Sequence, residues 1–412
     1  MPTDGRTLWN KTKLMAEQYL PSKPRYEILD GLRGVAALIV LAYHHFDIYG
    51  MGSPVTARIN HGYLAVDFFF ILSGFVIGYA YDDRWGRMTV WSFLKRRITR
   101  LHPLIVLSSI TGAMLFYYGM SDFFPLIHEA PVGRVLLLMV LGALMIPVRP
   151  SLDIRGWNEQ YPLNGNAWSL LFEYCANLLY ALFIRRFSNV VLALFVGLSA
   201  LLTLNLTLDI NVLDILTNHD AQACTVIGGW GLNAKHLFIG LSRLLYPFFA
   251  GLLLSRLMSG RLSSSAEHMR QRGFASRGFW ICSLLLVIIL LMPRIGGESH
   301  YLWNGIYEAV VILAVFPVVV FLGGCCHVSG RSAAICKWLG DISYPLYIMQ
   351  YPIVYGMQGA WKTLHPEATA SQTLFINLCT FLLSILVAWA SLKLFDEPVR
   401  NWLKEHWLKR GK

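Results

Sequence analysis

Apolar residues along this chain gather in eleven blocks: Gly34–Ile48, Leu64–Tyr81, Leu101–Tyr118, Val135–Val148, Trp168–Ile184, Val190–Leu206, Leu237–Leu254, Phe279–Met292, Trp303–Leu322, Ile342–Met357 and Leu374–Leu394. Several approach or reach the ~17–25 apolar residues that cross a ~30 Å hydrocarbon core, so the pattern predicts membrane-spanning helices. Lys and Arg concentrate between the blocks: at the N-terminus (Lys11, Lys13, Lys23, Arg25), over Arg84–Arg100, at Arg185 and Arg186, over Arg256–Arg277, over Lys393–Lys412, and more weakly at Arg331 and Lys337. If all eleven blocks crossed from a cytoplasmic N-terminus, the stretch with Arg270, Arg272 and Arg277 and the basic C-terminus would both land outside, against the positive-inside rule. A single net crossing over Leu101–Val148 keeps every basic region in the cytoplasm. It also puts Arg149–Ala167 outside, where Asp153 and Glu159 offset Arg149 and Arg155. Val135–Val148, close to the length of a re-entrant segment, is the block expected not to span. The expectation is an all-α polytopic membrane helix bundle of about ten spans. A cytoplasmic N-terminal segment (1–30) precedes one membrane domain (31–403), and a basic cytoplasmic tail (404–412) follows it.

Composition agrees with that pattern and excludes other classes. Of the 412 residues 55% are hydrophobic and 14% charged, against about a quarter charged in soluble domains. Residues Met1–Asp30 are polar and basic with no apolar core or cleavage site, so no secretory signal is expected. The formal charge of +11 sits in loops beside apolar blocks, where topology and anionic headgroups explain it; no nucleic-acid partner is implied. The seven cysteines lack metal-ligand spacing and read as small buried hydrophobes, and no metal site is expected.

Against this apolar background, ionisable groups inside spans are costly and mark pathways or reaction sites. His44 and His45 fall in the first block, Asp67 and Ser73 in the second, Glu173 and Arg243 in later ones. Arg33 and His44 are eleven residues apart, which puts them on one helix face about 16 Å apart along the axis. A ligand with an anionic end and a reactive end could bridge them. His45 is turned about 100° away. The bland alternative for His44 is a histidine satisfied by a neighbouring carbonyl. Ser169 and Glu173 share another face, and a carboxylate at that depth must be paired or protonated, an ion pair with a buried arginine such as Arg243 being the plain structural explanation. Arg97 and Arg100, three apart at the mouth of a span, present two guanidiniums on one face suited to phosphates, although any cytoplasmic loop attracts basic residues.

Taken in order, these blocks resemble the membrane acyltransferase family 3, bacterial multi-pass enzymes that acylate polysaccharides, lipopolysaccharide, peptidoglycan, glucans and some antibiotics. Leu32-Arg33-Gly34 followed by an apolar run to His44 looks like the opening motif, and Phe69-Phe70-Ile71-Leu72-Ser73-Gly74-Phe75 like the Phe-Phe-x-x-Ser-Gly-Phe block. Arg96-Arg97-x-x-Arg100-x-x-Pro103, Trp168-Ser169-Leu170-x-x-Glu173, Ser343-Tyr344-Pro345-Leu346-Tyr347 and Glu397-Pro398-Val399-Arg400 match the remaining blocks. The resemblance covers Ile28 to about Leu403. One departure stands out: where the family often has a histidine after the Ser-Tyr-x-Leu-Tyr block, this chain has Gln350.

The resemblance implies transfer of an acyl group, commonly acetyl, from cytoplasmic acetyl-CoA to a hydroxyl of an envelope or exported saccharide, by a multi-pass protein of the inner (plasma) membrane. His44 is then the expected base or covalent acyl carrier, a role that suits a side chain titrating near neutrality. Arg33, Arg97 and Arg100 are expected to hold CoA phosphates. Glu173 is expected to bind the acceptor or orient His44, and Ser73, Trp168 and Ser169 to contact substrate. The implied partners are acyl-CoA, a saccharide or lipid-linked saccharide and membrane lipids. The hydrolase-like domain that follows the last span in some members is not expected, since no Gly-Asp-Ser block occurs before Lys412. A proton-coupled transporter or flippase is the main alternative, because buried His, Glu and Arg would serve one too; no pair of similar halves supports it. The other membrane-bound O-acyltransferase family is disfavoured by the lack of a further intramembrane histidine with an asparagine partner.

Overall fold

The structure, a computed structural model, describes residues 23–47, 59–212, 223–259, 275–296 and 300–408. Most of the expected N-terminal segment, much of the basic stretch around Arg270 and the last four residues of the tail therefore lie outside the described residues.

Helices account for the regular structure: α1 Glu27–Asp47, α2 Ala65–Tyr81, α3 Val90–Leu115, α4 Val132–Ala143, α5 Ala167–Leu182, α6 Asn189–Thr207, α7 Ala234–Ser259, α8 Ala275–Leu291, α9 Tyr301–Cys325, α10 Gly330–Leu364 and α11 Ala370–Leu408. Among the described residues there are no strands, only two isolated bridges. The apolar blocks mark the centres of these helices but not their ends. For example α10 runs 35 residues, roughly 52 Å at 1.5 Å per residue, far beyond its apolar block, because charged turns can project past a ~30 Å core.

Among the described residues, six helices are long and apolar enough to cross a membrane: α2, α3, α6, α7, α9 and α11. The expected count of about ten is not reached on length and composition. Charged turns dilute α1 (Glu27, Asp30, Arg33), uncharged polar residues and prolines such as Tyr347, Gln350 and Pro352 dilute α10, and α5 and α8 have 16 and 17 residues, at the short limit of a span. At 12 residues α4 is shorter still, about 18 Å.

The outward faces are those of an integral membrane protein. On α11, Leu374, Leu378, Leu382 and Leu386 recur every fourth residue and are 56–70% exposed, an apolar stripe that water would not tolerate and lipid would. Inside, α1 packs along α10 and α2 along α7. The second contact depends on two glycines: a Cβ on Gly74 would strike the Phe248 carbonyl, and one on Gly251 the Ile71 carbonyl, so the helices touch backbone to backbone. No disulfide joins any of the seven cysteines among the described residues.

Candidate functional site

Between α1, α2, α3, α5 and α10 lie two cavities that share a wall. The first, about 100 Å³, is lined by Arg33, Ser73, Arg97, Arg100, Ser169, Glu173 and Tyr344. The second, about 430 Å³, is lined by His44, Asn166 and Trp168 together with Glu159, Arg243, Tyr351 and Tyr355. Val66 and Tyr347 line both. The Arg33–His44 face of α1 thus looks into one cavity at one end and into the other at the far end. His45 turns instead to Phe381 on α11 and bonds the Leu41 carbonyl at 2.8 Å.

The three arginines of the first cavity are not equivalent. Arg33 pairs with Asp30 at 3.1 Å and donates to Ser343 Oγ (2.8 Å) and the Gly340 carbonyl (3.0 Å), which ties α1 to α10. Arg97 donates to Glu173 at 2.6 Å, and Glu173 also accepts from Ser73 at 3.1 Å. Arg100 is exposed and has no ion pair or side-chain hydrogen bond among the described residues. One cation in this pocket therefore remains available to an anionic ligand, and the other two are engaged.

Glu173 does not reach His44, contrary to the orienting role expected for it. It faces the arginine cavity, and its partner is Arg97, not Arg243. Arg243 is spoken for by Asp67, at 2.7 Å with side-chain exposures of 2% and 0%, and it also donates to the Tyr63 and Gly228 carbonyls while lying over the Trp168 ring. Ser73 and Ser169 belong to the arginine cavity and Trp168 to the His44 cavity.

What holds His44 is the loop before α5 and one face of α10. Pro352 has no N–H, so the Ile348 carbonyl one turn earlier loses its helical donor; Asn164 Nδ2 takes that place at 2.7 Å. Two residues on, Asn166 Nδ2 donates to the Tyr347 carbonyl at 3.0 Å, and its Oδ1 meets His44 Nε2 at 3.1 Å. On the other side of the ring, His44 Nδ1 lies 3.0 Å from the Tyr355 hydroxyl. Tyr347, Tyr351 and Tyr355, each four apart, line this cavity together. The Tyr347 hydroxyl is 2.7 Å from Ser169 Oγ, closing the partition between the two cavities, and the Tyr351 hydroxyl donates to Glu159 at 2.5 Å.

Several of these residues were not singled out from sequence. Glu308, fully buried in α9, gathers Tyr63, Thr225, Asn304 and the Val226 amide at 2.5–2.7 Å and so braces Tyr63 in the cavity wall. A carboxylate within an apolar block was signal enough to find it. Asn166 and Glu159 lie in a loop with no periodicity to flag them. No group of three or more His, Cys, Asp or Glu that could hold a metal ion occurs among the described residues.

Comparison with known proteins places the chain in a family. Residues 26–393 match the family described as Acyltransferase domain. The chain belongs to this acyltransferase family. Among curated relatives, O-acetyltransferase OatA of Staphylococcus aureus (strain NCTC 8325 / PS 47) is 23% identical over 410 residues, covering 94% of this chain and 58% of OatA. YrhL of Bacillus subtilis (strain 168), whose name gives it as a candidate peptidoglycan O-acetyltransferase, is 24% identical over 361 residues, covering 83% of this chain and 50% of YrhL. Protein 2 in the picA locus of Rhizobium radiobacter is 36% identical over 164 residues, 38% of this chain and 81% of that protein. The chain thus spans about half the length of the O-acetyltransferases it matches. No solved structure matches it. Membership in an acyltransferase family sets the transporter alternative aside.

Proposed function

We propose that this protein is a membrane O-acyltransferase that carries an acetyl group from cytoplasmic acetyl-CoA to a saccharide hydroxyl on the opposite side. The observation that supports it is the pair of cavities meeting at Tyr347 and Val66, one offering an unengaged arginine and the other a histidine held from both ring nitrogens. In this scheme Arg100 takes a CoA phosphate, with Arg33 and Arg97 lending field from their fixed positions. The thioester reaches toward the Tyr347 partition, and the acceptor enters the His44 cavity, where Trp157, Trp168 and Trp230 offer flat faces to a sugar ring. His44 removes the hydroxyl proton as the oxygen attacks the thioester carbonyl; the C–O bond forms, the C–S bond breaks, and the imidazolium returns the proton to the leaving thiolate. Glu173 serves by holding Arg97 and Ser73.

The topology consistent with this scheme adds α1, α5, α8 and α10 to the six apolar helices. The total is ten crossings, with α4 the helix that does not cross and both termini in the cytoplasm. The test is to incubate purified protein with [14C]acetyl-CoA and short saccharide acceptors. Label is expected on the saccharide, and lost with His44→Ala. Label that stays on CoA with every acceptor hydroxyl supplied would overturn the proposal.

A further inference from the structure

The two hydrogen bonds on His44 carry chemical information beyond position. The Tyr347 carbonyl can only accept, so the Asn166 group facing it at 3.0 Å must be the NH2 end. Reversing the amide would set two acceptors against each other. The Asn166 Oδ1 then faces His44 Nε2 at 3.1 Å, and because that oxygen can only accept, Nε2 must carry the proton in the neutral ring. The lone pair is left on Nδ1. That nitrogen is not open to the cavity: the Tyr355 hydroxyl sits 3.0 Å from it and must be its donor. Tyr355 is 2% exposed, its ring stacked on Phe123 and packed against Phe124 and Tyr351 at centroid distances of 4.4–5.6 Å. A phenol clamped this way cannot swing aside for an acceptor.

We propose that Asn166 is the positioning residue that fixes the Nε2–H tautomer of His44, and that the acceptor's proton reaches Nδ1 through the Tyr355 hydroxyl. This inference rests on His44 being the base. In the step, the acceptor O–H passes its proton to the Tyr355 oxygen while the Tyr355 O–H passes its own to Nδ1. The acceptor oxygen forms its bond to the acyl carbon, the bond from that carbon to the CoA sulfur breaks, the leaving thiolate takes up the proton held by the imidazolium through the same phenol, and Tyr355 ends neutral. The imidazolium keeps its Nε2–H on Asn166, so the amide holds one geometry through both protonation states. The tautomer is set by a loop anchored on the backbone of α10, and the relay by a tyrosine of α10 itself.

The tautomer can be read without any acyl transfer. In 15N-histidine-labelled full-length protein in nanodiscs, the His44 ring signals, assigned by their loss in His44→Gln, are expected to show protonated Nε2 and unprotonated Nδ1. Asn166→Leu should mix the tautomers and lower kcat about tenfold with KM within about twofold, the scale of one neutral hydrogen bond. Tyr355→Phe, which keeps the packing, should lower kcat about 10²-fold, the lower end of what positioned proton transfer contributes, with thermal stability retained. A protonated Nδ1 in the resting protein, or a Tyr355→Phe enzyme that transfers at the wild-type rate, overturns the inference. A His44→Gln protein that still transfers acetyl overturns the base assignment itself, whatever the tautomer shows.

Discussion

Replacing Arg100 by Gln separates a phosphate site from a topology signal. Arg97 and Arg100 sit one turn apart on α3, yet only Arg97 has a partner: Glu173, at 2.6 Å with side-chain exposures of 7% and 19%. A phosphate meeting Arg100 gains a charge-assisted hydrogen bond without displacing a protein carboxylate. Such bonds contribute about 1.5–3 kcal/mol, so Arg100→Gln should weaken acetyl-CoA binding by about 10- to 150-fold at ~1.4 kcal/mol per decade. Thermal unfolding should stay within a degree or two, since no protein partner is stranded. Arg97→Gln should do the reverse. It leaves Glu173 unpaired in a partly buried site, between the ~0–1 kcal/mol of a surface pair and the ~3–5 kcal/mol of breaking a buried one, and on the order of 2 kcal/mol of stability is lost. The folded fraction should still bind. Calorimetric titration of acetyl-CoA into detergent-purified protein, alongside thermal unfolding, reads both quantities. If Arg100→Gln binds acetyl-CoA like wild type, or if Arg97→Gln loses affinity while its unfolding temperature holds, the division of labour argued here is wrong.

Three further outcomes can be stated. His44→Ala should lower acetyl transfer by about 10²–10⁴ with acetyl-CoA binding kept, whereas His45→Ala, facing Phe381, should retain most activity; equal losses in the label-transfer assay would count against the assigned face. Asp67→Asn should strand Arg243 in a fully buried site and cost about 3–5 kcal/mol, visible as a lower unfolding temperature in detergent that Asp67→Leu/Arg243→Met partly restores. Cysteine placed at Asn158 should label from outside intact cells and cysteine at Arg272 only after permeabilisation; labelling of both from one side excludes the ten-crossing topology.

Much of the site was legible in the sequence because helical periodicity is a local rule. A separation of eleven positions puts Arg33 and His44 on one face of α1, and that face does meet both cavities. Partner choice was not legible, because it depends on which helices touch. Asp67 meets Arg243 through the glycine-permitted contact of α2 with α7, leaving Glu173 to take Arg97 across α5 and α3. Spacing along one helix cannot assign carboxylates to arginines on others. The Tyr347–Tyr351–Tyr355 stripe follows the same period that located His44, but it sits in a block where aromatic residues read as bundle filling. Asn166 could be found only once the loop was seen docked on α10.

The docking of that loop on α10 rests on something missing from the chain. Its address is the Ile348 carbonyl, left vacant because Pro352 has no hydrogen to offer. α10 carries Pro345 and Pro352, and a carbonyl freed in this way offers a side-chain amide an acceptor at a fixed level, so a subtraction helps set the register of the loop against the helix. Restoring the hydrogen with Pro352→Ala would let the helix close on itself and compete with Asn164 for the same oxygen. The loop should then slide or loosen by a fraction of a turn with every catalytic side chain still present, and activity should fall through imprecision, detectable as a lower kcat with unchanged acetyl-CoA affinity.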